Sequence, residues 1–257
     1  MALRKTLWWS LLLWGPLVLG GLVAFSWPAL DRPDREHNAL SNLLRFASEF
    51  FPPDWSVLPT VMKSFLETLR ISILSTLGAV FIALPFSILV SERYGPSKIR
   101  SLCLLTMTFI RSIPSLVWAL LAVSVFGPWP IAGVIALCFY SLGYLIKFFA
   151  DALDSLDASA PQQLITEGSH PIQAIQYGIW PQWRPHVLKK TLWMFEYNIR
   201  SASIIGYVGA GGLGTLLHSY QEFYLWDRFA VVMFIILLTV VILEWLSRKT
   251  QKWGWTS

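Results

Sequence analysis

The stretch LRISILSTLGAVFIALPFSILVS, residues 69–91, holds one charged side chain, Arg70, in 23 positions. About 20 mostly apolar residues are enough for a helix to cross the hydrocarbon core. A helix is also the open-ended element that satisfies its own backbone there. Working outward, five more segments of the same kind appear, so that the set is 7–27, 69–91, 101–126, 129–150, 187–213 and 229–246. The expected fold is therefore an all-α membrane protein of about six transmembrane helices. Composition agrees: 55% of the 257 residues are hydrophobic and 14% charged, against roughly 25% charged in soluble domains. Pro16, Pro85 and Pro114 fall inside these segments, where membrane helices tolerate proline better than soluble ones do.

The first segment follows Arg4-Lys5 in the manner of a signal peptide, but its apolar run is longer than the usual core of about 7–15 residues and lacks a clear small-x-small cleavage site. It is read as a retained first membrane helix. The basic residues then set the orientation. With the N-terminus inside, eleven of them (Arg4, Lys5, Arg93, Lys98, Arg100, Arg184, Lys189, Lys190, Arg248, Lys249, Lys252) face the cytoplasm and four (Arg32, Arg35, Arg45, Arg228) face out. Positive-inside asymmetry of this kind places both termini in the cytoplasm and accounts for the net charge of +5 without nucleic acid. Cys103 and Cys138 both lie in apolar runs and read as packing residues.

The chain thus divides into a first transmembrane helix over 1–30, an external segment over 31–60 and a transmembrane domain over 61–257. In the external segment Leu40, Leu43, Leu44, Ala47, Phe50 and Phe51 recur at helical spacing after Asn38, a favourable N-cap, and the pattern stops at Pro52-Pro53. An amphipathic helix on the bilayer surface is expected. The second long connection, about 151–186, is cytoplasmic and polar. Loops of that length in compact proteins tend to be functional.

Few ionisable groups remain at membrane depth. Arg111 lies in the third segment and Arg200 in the fifth, with Glu196 four residues before Arg200 in the favoured order for an ion pair. Buried charge is costly and usually faces a cavity, a partner or a pathway. Two readings stand side by side: a structural Glu196–Arg200 pair with Arg111 bonded to backbone carbonyls, or arginines that help an anion through, since the guanidinium fork matches phosphate-type oxygens. Ser112, Ser201 and Ser203 add hydroxyl donors. Lys63, Glu67 and Arg70 are spaced for pairing on a helix surface, as are Lys147 and Asp151. Gly209, Gly211, Gly212 and Gly214 satisfy G-x-G-x-x-G, but no strand precedes them and no βαβ unit surrounds them, so a nucleotide fingerprint is rejected. Close helix packing or a break lining a cavity is expected instead. His37, His170, His186 and His218 have no metal-ligand spacing. No P-loop, HExxH or G-x-S-x-G pattern occurs, so the chain is not expected to be an enzyme or to hydrolyse ATP itself.

The long cytoplasmic loop holds Gln162-Gln163-Leu164-Ile165-Thr166-Glu167-Gly168, then Gly178-Ile179-Trp180-Pro181. It resembles the EAA loop of ABC importer permeases. Arg111-Ser112-Ile113-Pro114-Ser115-Leu116-Val117-Trp118, Phe195-Glu196-Tyr197-Asn198-Ile199-Arg200-Ser201-Ala202 and 208–214 resemble the phosphonate and phosphite importer permeases more specifically, over roughly residues 60–247. The resemblance implies a type I importer fold in the bacterial inner membrane and a coupling helix, around Gln162–Gly178, docked on an ATPase. It also implies a second permease copy, two ABC ATPase subunits that bind ATP and magnesium, and an external substrate-binding protein, with no cofactor held by this chain. Cargo would be phosphonate, phosphite or a related oxyanion; methionine or another small metabolite, or secondary anion transport, are the alternatives. Two departures stand out: Gln162-Gln163 replaces the usual Glu-Ala, and Tyr140 stands where relatives often have His. Arg111, Ser112, Tyr140, Glu196, Arg200 and Ser201 are the expected pathway residues.

Overall fold

The computed structural model describes residues 20–21, 39–157, 159–170 and 173–253, with side chains to residue 246. The expected first membrane helix lies outside the described residues apart from positions 20–21. Contacts divide the chain into two units, 1–47 and 48–257.

In the first unit, helix α1 (Ala39–Ser48) forms where the apolar spacing predicts it. Its stripe of Leu40, Leu43 and Leu44 is exposed.

Every regular element among the described residues of the second unit is a helix. Helix α2 (Leu58–Val90) begins eleven residues before the expected second span, after a short 3-10 turn capped by Asp54. Helices α3 (Ser97–Ser112) and α4 (Ser115–Phe126) follow, then α5 (Pro130–Asp154), α6 (Ser159–Thr166), α7 (Trp180–Ile205), α8 (Leu213–Glu222) and α9 (Trp226–Trp253). The helices α2, α5 and α9 are each long and apolar enough to cross a membrane.

Two expectations are corrected. The third span, read as one helix over 101–126, is broken into α3 and α4 with a bend of 90°. Proline disfavours helical backbone in the residue before it, and Ile113 is extended at φ −96°, ψ 125°. Pro114 also has no N–H for the Ile110 carbonyl, and the Trp118 indole N–H takes that place at 3.1 Å. The fifth span, read as 187–213, is helical from Trp180 and stops at Ile205. A 3-10 turn and Gly209 in the left-handed region (φ +86°) then turn the chain back.

Helix α2 packs most extensively on α5. Its buried face is built of Thr68, Ser72, Ser75, Thr76, Ala79, Ala83 and Ser87, small residues that let helix backbones approach closely where lipid offers no hydrophobic contrast. The hydroxyls bond back into their own helix, as Ser72 does to Thr68 O (2.8 Å) and Thr76 to Ser72 O (2.7 Å). At one point the helices are tied by side chains. Asn198 of α7 is wholly buried, and its amide donates to Thr76 Oγ1 of α2 and Ser141 Oγ of α5, both at 2.9 Å. Truncating it leaves the buried Ser141 hydroxyl without its partner and Thr76 with only its bond to Ser72 O. Asn198→Ala is expected to destabilise the detergent-purified protein by about 2 kcal/mol, read as a shift in its unfolding transition. An unshifted transition would mean that the three helices are not tied there.

Candidate functional site

The chemistry-bearing residues gather at three places. The first is the loop after α5. Ser159 donates its backbone N–H (2.9 Å) and hydroxyl (2.7 Å) to Asp157, and the backbone bond first, then the hydroxyl, holds that carboxyl below the usual carboxylate range. Helix α6 follows with Gln162 and Gln163 exposed and Leu164 half-buried. It ends in a Schellman motif: Gly168, at φ +89°, donates to Ile165 O (3.1 Å), and Ser169 donates to Leu164 O (3.0 Å). A left-handed residue at this position is most often glycine. Glu167 is exposed on the same rim.

The chain returns through a wide π-helical turn, Ala174–Ile179, into α7, with Pro181 in the first turn of that helix. Gly178 lies against Pro161 so closely that a Cβ would sit 2.8 Å from Pro161 Cα. This contact folds the loop into one α6–π-turn layer. Beneath it an apolar cleft of about 350 Å³ is lined by Ile88, Leu153, Ile165, Ile175, Trp180 and Trp183 among others. Ile165, Ile175, Tyr177 and Trp180 remain exposed, an apolar surface suited to a protein partner.

The second place is the break between α3 and α4. Arg111 ends α3, where a cation favours the negative end of the helix dipole. It is half-buried, with long bonds to its own helix: Nε to Met107 O at 3.3 Å and Nη2 to Thr108 Oγ1 at 3.5 Å. Its guanidinium lies 5.6 Å from the centre of the Tyr144 ring, over its face. Tyr144 belongs to a row of phenols: Tyr197 OH donates to Tyr140 OH at 2.9 Å, and Tyr140 OH to Tyr144 OH at 3.3 Å. The Tyr140 and Tyr197 rings stack at 5.5 Å. The row continues through Phe148 and Trp193, with Lys190 Nζ 4.4 Å over the Phe148 ring. Sequence reasoning placed Arg111 and Tyr140 together but missed Tyr144 and Tyr197. The i, i+4 spacing of Tyr140, Tyr144 and Phe148 was the available signal.

The remaining predicted pathway residues make other bonds. Arg200 pairs with Glu196 at 3.2 Å, with the arginine side chain 54% exposed and the glutamate 18%. Ser112 donates to Phe109 O (2.8 Å), and Ser201 and Ser203 are buried. Among the described residues no hydrogen bond or ion pair joins Arg111 to Glu196 or Arg200.

The third place is the glycine-rich turn. Gly209, Gly211 and Gly212 all take positive φ. Gly212 donates to Glu67 Oε2 (3.1 Å) and Leu213 to Thr68 Oγ1 (2.8 Å), so a carboxylate and a hydroxyl of α2 cap the N-terminus of α8. This corrects the reading of Glu67 as one of a surface-pairing trio with Lys63 and Arg70. Gly214 abuts Gly206, back to back. Lys147 and Asp151 do form their i, i+4 pair. Among the described residues no group of three or more His, Cys, Asp or Glu is placed to hold a metal ion.

Comparison with known proteins closes the picture. Residues 83–252 match the family described as binding-protein-dependent transport system inner membrane component. The phosphite transport system permease protein PtxC of Stutzerimonas stutzeri is 27% identical over 247 residues, 95% of this chain and 90% of that one. HtxC, a transport system permease protein of the same bacterium, is 28% identical over 91% of this chain and 84% of its own. Among solved structures, an inward-facing MetNI methionine ABC transporter matches with a TM-score of 0.68 at 17% identity, over 76% of this chain and 96% of that chain. An amino acid ABC transporter matches at 0.62 and 19%, over 77% and 98%. The fold is shared with these importer permeases.

Proposed function

Because this chain belongs to the family of binding-protein-dependent transport system inner membrane components, and is thus the multi-pass inner-membrane permease of an ABC importer and not an enzyme, we propose that its cargo is a small phosphorus oxyanion, phosphite or a phosphonate. ATP hydrolysis belongs to a partner ATPase, and an external binding protein presents the substrate, as the family implies. What carries the cargo reading is the pairing of Arg111 with the phenol row of Tyr144, Tyr140 and Tyr197. A guanidinium beside a chain of phenols that ends in the undonated hydroxyl of Tyr144 offers charge and a directed hydrogen bond to a tetrahedral oxyanion, and offers nothing selective to an apolar side chain. The two phosphite-permease and related relatives of similar length support it.

In this reading two copies of the chain enclose the pathway, with both termini in the cytoplasm. Two ATPase subunits with ATP and magnesium dock on the α6–π-turn layer, where Gln162, Gln163 and Glu167 form the polar rim and Trp180 and Ile175 the apolar contact. With no acid at Gln162, the one carboxylate of that rim is Glu167, and the rest of the contact is left to packing and neutral hydrogen bonds. Closure of the ATPase pair moves the layer and opens the pathway outward. α1 lies on the outer leaflet surface through Leu40, Leu43 and Leu44.

The test is uptake into proteoliposomes holding the chain with its ATPase and binding protein, comparing methylphosphonate, phosphite and phosphate. The expected result is uptake that requires ATP and favours phosphite or methylphosphonate. Preference for an amino acid, or equal indifference to all three anions, would overturn the cargo assignment.

A further inference from the structure

The turn joining α2 to α3 is held by a carboxylate from another helix. Asp154 is the last residue of α5. Its Oδ1 accepts the Ser91 hydroxyl and, at 3.3 Å, the Arg93 backbone N–H, while Oδ2 accepts the Glu92 N–H at 2.8 Å. Ser91 is wholly buried, and its Oγ accepts from the N–H groups of Arg93 and Tyr94, both at 3.2 Å. Arg93 returns the grip, with Nη1 donating to Leu156 O at 3.1 Å. A charged acceptor for two amides and a hydroxyl is stronger than neutral bonds of the same geometry.

The position of this clamp gives it a mechanical meaning. Asp157, three residues beyond Asp154, caps the first residue of α6. Arg93 and Tyr94 also line the cleft beneath α6 and the π-turn. The clamp therefore joins the base of the coupling layer to the C-cap of α2. Helix α2 runs unbroken for 33 residues, about 50 Å at 1.5 Å per residue. Toward its far end Glu67 and Thr68 hold the N-terminus of α8 and the glycine turn. A displacement of α6 thus reaches the opposite end of the bundle through one rigid element.

We propose that Asp154 is a positioning residue that transmits movement of the α6 layer to α2 through the 91–95 turn, so that ATP-driven closure of the partner ATPase pair is converted into opening of the pathway. The proposal rests on the importer reading above and deepens it: the residue touches neither cargo nor ATPase, and acts through Ser91 and Arg93.

The experiment uses the complete importer with Asp154→Asn, Ser91→Ala and the double variant, and reads phosphite uptake and ATP hydrolysis on the same proteoliposomes. Hydrogen exchange of the Glu92 and Arg93 amides is read on the same complexes. Uptake per ATP is expected to fall about fivefold in either single variant, with the hydrolysis rate kept. The double variant should be no worse than Asp154→Asn, because both changes break one clamp. Faster exchange at 92–93 is expected in Asp154→Asn. Uptake and hydrolysis falling together at a constant ratio, unaltered uptake per ATP, or strictly additive losses would each overturn the proposal. Should Asp154→Asn prevent assembly, Ser91→Ala decides alone, and a normal ratio there refutes the clamp. If the unaltered complex transports none of the phosphorus anions, the cargo reading fails. The exchange experiment then still decides whether ATP binding is felt at 92–93 through Asp154.

Discussion

Gly214→Ala is expected to abolish recovery of folded protein. A Cβ at Gly214 would stand 2.2 Å from Ser203 O and 2.6 Å from Gly206 Cα. Both obstacles are backbone atoms of the turn that ends α7, so no rotamer change relieves them. Overpacking a filled site commonly costs about 1–3 kcal/mol and more where the backbone must move. Here the crossing of α7 and α8 would have to open. That movement would also pull the α8 N-terminus off Glu67 and Thr68. Gly168→Ala is the control: its φ of +89° is strained for alanine, but nothing lies within 4 Å of the added atom, so it should cost about 1 kcal/mol. The yield of folded protein in detergent and the thermal unfolding of whatever is recovered distinguish the two variants, measured beside the parent. If Gly214→Ala unfolds with the parent, the Gly206–Gly214 contact is not part of the stable fold.

Much of the fold was legible because membrane helices announce themselves by length and apolarity. Segments 69–91, 129–150 and 229–246 correspond to α2, α5 and α9, with ends shifted by up to eleven residues where amphipathic turns extend the helix past its apolar part. The break at Pro114 was not legible, for a physical reason. Pro85 sits within unbroken α2 and Pro185 within unbroken α7, so proline alone does not decide. At Pro114 the outcome depends on Trp118 reaching the freed Ile110 carbonyl, which only the folded turn supplies. Likewise 187–213 read as an apolar span, while α7 runs from Trp180 to Ile205, and its end was set by glycine backbone conformations that hydropathy does not register.

The site was legible in part. Loop length and the resemblance of residues 162–168 and 178–181 to the EAA loop marked the α6 layer. Asn198 and Asp154 were not singled out and Glu67 was read only as a helix-surface pairing residue, because each works through partners 57 to 145 positions away. A polar residue in an apolar run signals that some partner exists, and nothing local says which. Arg111 and Arg200, which looked alike in sequence, separate in the structure: one lies over an aromatic ring, the other pairs with Glu196 four residues away.

That separation ranks the two arginines for function, and Arg111→Gln is expected to lower uptake of the phosphorus oxyanion about ten- to a hundredfold. Hydrogen bonds to charged groups are worth about 1.5–3 kcal/mol, and each 1.4 kcal/mol is tenfold. Glutamine keeps an amide donor at the level of Nε and removes the charge together with the terminal nitrogens of the fork. The fold should not notice, since the guanidinium's protein bonds are long, at 3.3 and 3.5 Å, and lie within its own helix. Arg200 is already neutralised by Glu196 and exposed, so Arg200→Gln is expected to cost less than Arg111→Gln. Tyr144→Phe removes the last hydroxyl of the phenol row and leaves the ring under the guanidinium, so its loss should be smaller, about threefold to tenfold. Arg111→Lys should recover part of the rate, because charge returns without the planar fork. Uptake by the four variants is compared at equal amounts of assembled complex. Equal losses at Arg111 and Arg200 would remove the special place given to the phenol row. Loss of the assembled complex in Arg111→Gln would assign that arginine to holding the α3–α4 bend, and the oxyanion would have to be met elsewhere along the pathway.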